Sequence, residues 1–306
     1  MSRFYRDYAA YLATRFPGKV QKIGINASMS CPNRDGSISR GGCIYCNNSA
    51  FSPDYHLNLT ADVARQIERG KEFFARKYPT MRYLAYFQSY TNTHGDPDRL
   101  MELYAEAAAQ PDVVGIIIGT RPDCMEDALL SRLAELNRTT PVMVEYGAES
   151  THDTTLALVN RCHTWAQTVD ATLRTTAAGI DVGLHFILGL PGETRQMMMQ
   201  TIERINALPV SSVKFHQLQI VRGTPLERMV SEGTLTVHPF TVGEYIDLCV
   251  DIVEALRPDI AIDRFVSQTP DALLVAPRWG LKNHEFTARL EKALAARAAK
   301  RCPHRG

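Results

Sequence analysis

The chain has 306 residues, 45% of them apolar and 22% charged, a globular balance that excludes wholesale disorder and allows one large domain or two ordinary ones. No run reaches the roughly 18 uninterrupted apolar residues of a membrane span, and the opening MSRFYRDYAAYLATRFPGK is too charged to hold a signal-peptide core, so a cytoplasmic protein with no membrane partner is expected. The net charge of +1 hides basic flanks: residues 1–82 hold 13 Lys and Arg against 6 Asp and Glu, and residues 282–306 hold 7 against 2. Such flanks suit a polyanion held at one edge, or are two solvated amphipathic faces.

No repeat, low-complexity tract or linker divides the chain, which favours a single domain: a core over 1–230 with an extension over 231–306 packed on it. In chain order, apolar runs predict strands at Val20–Ile25, Tyr83–Gln88, Val113–Gly119, Val142–Tyr146, Val182–Leu188 and Val213–Ile220. Amphipathic helices are predicted at Ala61–Lys77, Pro97–Ala109, Met125–Asn137, Trp165–Ala178 and Arg195–Ala207, with two more at Glu244–Leu256 and Glu285–Arg301. Strands alternating with helices call for parallel βαβ units with right-handed crossovers, in an open doubly wound sheet or a complete or partial (β/α) barrel. Either architecture puts its site at the carboxyl ends of the strands. Polar residues and glycines gather there, while the strand interiors are apolar.

The cysteines carry the strongest chemical signal. Cys31, Cys43 and Cys46 follow the first strand in a C-x11-C-x2-C pattern, whereas Cys124, Cys162, Cys249 and Cys302 are scattered. A C-x2-C pair lets two thiolates reach one centre from a tight turn, and Gly41-Gly42 supplies backbone freedom just before it. Structural zinc needs a fourth ligand, for which His56 is the nearest histidine. Incidental buried thiols are the blandest reading. An iron–sulfur cluster with three protein ligands leaves one iron open for chemistry, which makes it the favoured reading.

With an aromatic, Tyr45, just before the third cysteine, the pattern resembles that of radical S-adenosylmethionine (SAM) enzymes. More closely, the chain resembles the YhcC-like family, a relative of the Elongator catalytic subunit, over roughly residues 17–230. The likeness rests on CPNRDG…GGCIYC, YFQSYTNTHG, GTRPDC, EYGAES, NRCHT, FILGLPGET and KFHQLQIVRGTPL, seven motifs in order. It implies a (β/α)6 partial barrel with parallel strands and a C-terminal helical extension. It also implies a [4Fe-4S] cluster on Cys31, Cys43 and Cys46, whose open iron chelates the amino and carboxylate groups of SAM. One electron, from a donor such as flavodoxin or ferredoxin, then releases a 5′-deoxyadenosyl radical that takes a hydrogen atom from the substrate. The implied substrate is transfer RNA, at the 5-position side chain of the wobble uridine, with a carboxymethylaminomethyl group reworked to aminomethyl. A radical SAM enzyme acting on a small metabolite and a zinc-stabilised RNA-binding protein are the alternatives. The Elongator acetyltransferase domain has no counterpart in the roughly 80 residues after the match, so that activity is not carried over.

The resemblance also assigns residues. Tyr45 borders the cluster, and Gln88, Ser89, Thr91 and Asn92 face the methionine end of SAM; an Asn/Thr-rich turn is the bland alternative. Glu149 and Ser150 fall where the ribose is held, unless Ser150 or Thr151 caps the following helix. Gly189 lets the backbone approach the adenine. Arg161 and His163 contact SAM or substrate, or satisfy carbonyls at a helix end. Lys214 and His216 share one strand face, as positions two apart must, and become candidate substrate contacts if that face is interior. Arg121 either binds substrate or pairs with Asp123, and no catalytic residue is assigned. Replacing any one of Cys31, Cys43 or Cys46 by Ala is expected to abolish iron loading on anaerobic reconstitution, while Cys249→Ala loads normally; full iron in Cys43→Ala refutes the ligand set.

Overall fold

The computed structural model describes residues 2, 4–47, 62–75 and 80–301. The chain opens with α1 (Tyr8–Arg15), β1 (Val20–Ile25), α2 (Pro32–Asp35), α3 (Val63–Ala75) and β2 (Arg82–Phe87). It continues through α4 (Pro97–Ala108), β3 (Val113–Thr120), α5 (Asp127–Asn137), β4 (Val142–Glu149), α6 (Asp153–Leu158), α7 (Trp165–Ala177) and β5 (Asp181–Leu188). Then come α8 (Arg195–Asn206), β6 (Ser212–Gln217), β7 (Ile220–Val221), α9 (Pro225–Ser231), α10 (Val242–Ala255), β8 (Ala261–Ile262), β9 (Leu274–Ala276) and α11 (Asn283–Arg301). Strands β1 to β6 and β8 form one parallel sheet in sequential order, curled into a partial barrel with the helices outside. No helix among the described residues is long and apolar enough to cross a membrane.

The strands read as apolar runs because helices cover one face and the barrel interior the other. Ile23, Ile25, Phe87, Ile116, Ile118, Val144, Phe186 and Phe215 point outward into the layer beneath the helices and are essentially buried. Helix starts follow from local chemistry. Asp96 caps α4 ahead of Pro97, Thr194 caps α8, and reciprocal capping boxes at Thr164–Gln167 and Thr241–Glu244 start α7 and α10. Each start lies beyond a loop at the carboxyl end of the sheet, so the caps set how far that loop extends over the mouth.

Four features differ from the periodicity-based expectation. The run Val213–Ile220 breaks after Gln217, where the chain leaves the parallel sheet and β7 pairs antiparallel with β9. Gln217 and Gln219 fix that break by side-chain bonds to Ser267 and Thr269. A seventh strand, β8, has only two residues, too few to show a period. The expected helix over 61–77 is present as Val63–Ala75: Asp62 precedes it, its carboxylate accepting from Arg65 N at 2.9 Å, and residues 61, 76 and 77 lie outside those described. Finally, α1 plugs the amino-terminal end of the barrel, packing Tyr8, Tyr11, Leu12 and Phe16 against Leu84, Ile117 and Met143.

The sheet does not close by hydrogen bonds between β1 and β8; side chains bridge the seam. Lys22 Nζ on β1 lies 2.8 Å from both Asp263, just past β8, and Glu145 on β4. Lys214 Nζ on β6 lies 2.8 Å from Glu145 and 3.2 Å from Asp263. Two lysines thus neutralise two carboxylates, with the Tyr8 ring 4.1 Å from Lys22 Nζ and the Tyr86 ring near both ammonium groups. The lysines hold both carboxyls well below their usual range despite burial. Removing one partner strands a buried charge, so Lys22→Met is expected to lower the unfolding free energy by about 3–5 kcal/mol. Urea denaturation measures it, and a loss below about 1 kcal/mol removes the quartet from its place in holding the seam.

Candidate active site

A cavity of about 230 Å³ opens at the carboxyl end of the sheet, its wall supplied by the loops after β1, β2, β3, β4 and β6. Cys31, Cys43 and Cys46 line one side as free thiols. The local backbone explains their placement. Cys31 precedes α2, where Pro32 occupies the first helical position and Gly36 turns the chain left-handed at φ +95°. The loop returns through Gly41 and Gly42, both at positive φ, and Gly42 N donates to Asn33 O at 2.8 Å. A Cβ at Gly42 would sit 2.9 Å from the Arg34 side chain, which reaches over to donate to Cys46 O at 2.7 Å. The cysteine loop is therefore pinned by its own arginine.

A second loop clamps it from above. Asn160 donates to Gly42 O at 2.8 Å, Ile44 N donates to Val159 O at 3.1 Å, and Asn33 Nδ2 donates to Asn160 O. Arg161, buried in this loop, extends Nη1 to within 3.8 Å of Cys43 Sγ, while Asn33 Nδ2 lies 3.6 Å from the same sulfur. Its Nε donates to His163 Nε2 at 3.0 Å. His163 can accept because burial and the adjoining arginine push its imidazole down to about 3, leaving it neutral. Two N–H donors thus converge on the Cys43 sulfur.

Glu149 stands opposite Arg161, Oε1 to Nη2 3.7 Å, at φ +67° after an irregularity in the β4–β5 register. Only a glycine fits beside this pair, since a Cβ on Gly147 would lie 2.7 Å from Glu149 Oε1 and 2.9 Å from Arg161 Nη2. Burial raises the Glu149 carboxyl, and Arg161 and Arg121 draw it back down. Arg121 forks onto Asp123 at 2.9 and 2.8 Å, which answers one of its two expected roles, yet its Nη1 has no partner and the residue lines the cavity.

Ten of the sequence-assigned residues other than Arg121 line the cavity together: the three cysteines, Tyr45, Gln88, Ser89, Thr91, Glu149, Arg161 and His216. Five do not, among them His163, which accepts from Arg161 Nε outside the cavity wall. Asn92 lies behind the wall and donates to Phe87 O at 3.0 Å and Gly119 O at 2.8 Å, tying β2 to β3. Ser150 donates to Glu193, and the cap of α6 falls on His152 rather than on Ser150 or Thr151. Gly189, at φ +86°, faces the Phe240 ring. Lys214 is sunk in the charge quartet below the cavity. His216, two residues on, does reach the cavity, as do Glu145, His185 and Arg264, which sequence reasoning did not single out. The available signal was an ionisable residue embedded in an apolar strand, as in VMVEYGAE and DVGLHFIL.

The donor set fits a cluster better than a single ion. Among the described residues, no three His, Cys, Asp or Glu side chains converge where one ion could sit, and His56 lies outside them. A multi-iron cluster instead takes one thiolate per iron, and three thiols around one cavity wall meet that need. The unpartnered polar atoms Tyr45 Oη and Arg121 Nη1 leave further hydrogen-bonding capacity in the same wall for a polar cofactor.

A parallel partial barrel with a three-cysteine loop after its first strand defines a class of enzyme, and comparison with known proteins agrees. The Radical SAM superfamily matches residues 31–205, and the Radical_SAM C-terminal domain matches residues 210–296. The chain is 35% identical to YtqA of Bacillus subtilis over 295 residues, 96% of this chain and 91% of that protein. It is 34% identical to YhcC of Escherichia coli over 285 residues, 91% of this chain and 88% of that protein. The chain belongs to the radical SAM superfamily and, within it, to the YhcC-like family. It is accordingly an enzyme whose cofactors are a [4Fe-4S] cluster and SAM. A more distant relative, the tRNA uridine(34) acetyltransferase of Dehalococcoides mccartyi, is 29% identical over 178 residues, covering 57% of this chain and 37% of that protein. Among solved structures, Elp3 of Methanocaldococcus infernus shares the fold with a TM-score of 0.70 at 17% identity, covering 92% of this chain and 64% of that one.

Behind the wall, burial pushes the Glu193 carboxyl up to about 7 against hydrogen bonds from Ser150 and Thr155. Below pH 4.5 the carboxyl is protonated whether the chain is folded or not. Between there and 7 the unfolded chain releases a proton that the folded chain keeps, so stability falls as pH rises through that window. Glu193→Gln is expected to gain little at the acid end and up to about 3 kcal/mol above pH 7. Urea melts of both proteins across the window measure it; a pH-independent difference sinks the assignment.

Proposed function

We propose that this radical SAM enzyme acts on transfer RNA, at the 5-position side chain of the wobble uridine, and converts carboxymethylaminomethyl to aminomethyl. The observation that carries this reading is the match, over 178 residues, to a protein whose name places its action on uridine 34 of tRNA. The shared fold of the archaeal Elp3 structure supports it. The basic flanks agree with a phosphate-rich partner, although Arg297 on α11 is already engaged by Asp251 and Glu254. Arg305 lies outside the described residues.

Cys31, Cys43 and Cys46 would hold the cluster, and Gln88, Ser89, Thr91, Glu149 and Arg161 would hold SAM beside it. Bound there, the two cofactors would supply radical chemistry able to break a substrate C–H bond. The protein's part is to orient the reactants and exclude water. Asn92 and Ser150 act from behind the wall, the first by joining two strand ends and the second through Glu193. Gly189 keeps the chain close to Phe240, and Lys214 acts through the quartet that fixes the cavity floor. An intracellular electron donor of the flavodoxin or ferredoxin kind and a cytoplasmic setting complete the reading.

The nucleoside profile of tRNA from cells lacking this protein tests it. The expected result is carboxymethylaminomethyluridine accumulating where aminomethyluridine derivatives are lost, with wild-type complementation restoring them and Cys43→Ala failing to. An unchanged profile refutes the tRNA reading while leaving the family assignment intact.

A further inference from the structure

Charge surrounds the cavity in two tiers, and the floor carries one arginine beyond its ion pairs; a second arginine outside such pairs, Arg34, belongs to the cysteine loop, where it donates to Cys46 O. At the mouth, Arg121 is forked onto Asp123 and Arg161 faces Glu149. On the floor, Lys22 and Lys214 are shared between Glu145 and Asp263. Arg264 is left over. It follows Asp263 in the chain, lines the cavity, and takes part in none of the floor's ion pairs. Its Nε is buried with no hydrogen-bond partner. The backbone there is fixed, since Phe215 N on β6 donates to Arg264 O at 2.9 Å. The residue is only half-buried, so it is this one sequestered N–H, rather than the whole guanidinium, that a ligand carboxylate reaching the floor would satisfy.

The surroundings narrow the ligand. Arg264 acts electrostatically on Tyr86, Lys214, His216 and Asp263, all groups of the floor. His216 and His185 face the same space with ring centroids 6.0 Å apart, and neither adds compensating negative charge. The surplus is one positive charge, which matches a monoanion. A guanidinium fork matches the two oxygens of a carboxylate. Phosphates of a folded RNA stay on its backbone above the mouth, whereas the side chain of a splayed base can descend.

We propose that Arg264 binds the carboxylate of the substrate's carboxymethylaminomethyl group on the cavity floor. This rests on the tRNA reading above and adds to it the residue that selects the substrate. Arg264 is a binding residue in this assignment, separate from the groups that hold SAM at the mouth.

The test uses anaerobically reconstituted holoenzyme and two anticodon stem-loop RNAs, one with carboxymethylaminomethyluridine and one with aminomethyluridine at the wobble position. Wild-type protein is expected to bind the carboxylate-bearing RNA about tenfold or more tightly. Arg264→Gln is expected to bind the two equally, with SAM affinity unchanged. Arg264→Lys keeps the charge without the fork and is expected to discriminate less than wild type. If the Gln variant does not fold, the Lys variant decides, and undiminished discrimination in it overturns the assignment. Equal wild-type affinity for both RNAs also overturns it but leaves the tRNA reading standing. A loss of SAM affinity in Arg264→Gln overturns it by giving the arginine to the cofactor. Binding of neither RNA refutes the tRNA reading, and this proposal with it.

Discussion

The shape of the molecule depends on four buried charges. An open parallel sheet of seven strands has two edges, and among the described residues no backbone ladder pairs β1 with β8. Lys22, Glu145, Lys214 and Asp263 join the edges instead, from β1, β4, β6 and the residue after β8. Burying four ions is unfavourable unless each finds its opposite at hydrogen-bond distance. That condition ties together strands far apart in sequence and fixes the curl of the sheet. The quartet also divides the interior: below it the space is filled by Tyr8 and its neighbours, and above it the space is open. Cavity depth is therefore set by electrostatics as much as by packing.

Much of this was legible in the sequence, and the reasons differ by element. The six long strands were readable because burial on both faces leaves uninterrupted apolar runs. The helices were readable from their periodicity and their capping residues. The cysteine loop was readable because C-x2-C after a strand end is a rare spacing with a specific use. The quartet was not. Lys22, Glu145 and Lys214 each sit in a strand whose parity points them inward, but parity says nothing of partners 49 to 241 positions away. Asp263 follows a strand of two residues, which carries no period at all. The end of β6 was misjudged because Leu218 and Ile220 continue the apolar run, while the break is written in the bonds of Gln217 and Gln219.

Resemblance gave Glu149 and Arg161, and the structure adds why they can coexist. Glu149, Asn160 and Cys162 all adopt positive φ without being glycine. Such conformations cost energy and persist only where surrounding contacts over-determine them. Here the contacts are the clamp between the cysteine loop and the 160–163 loop, together with the bare Cα of Gly147. These residues of the mouth are thus held by contacts among themselves, which reduces the ordering a ligand must bring about on binding.

The plug formed by α1 has a consequence for traffic. With Tyr8 and Met143 in contact across the lower end, among the described residues, the cavity has its opening at the carboxyl end of the strands. Cofactor and substrate must share that doorway. A small molecule seated deep in the cavity is sealed in by whatever large partner settles on the rim after it. A macromolecular substrate must therefore arrive last and leave first, and exchange of spent cofactor waits on its departure. For such a substrate, the order of events in each cycle is set by a helix at the opposite end of the barrel from the cavity mouth.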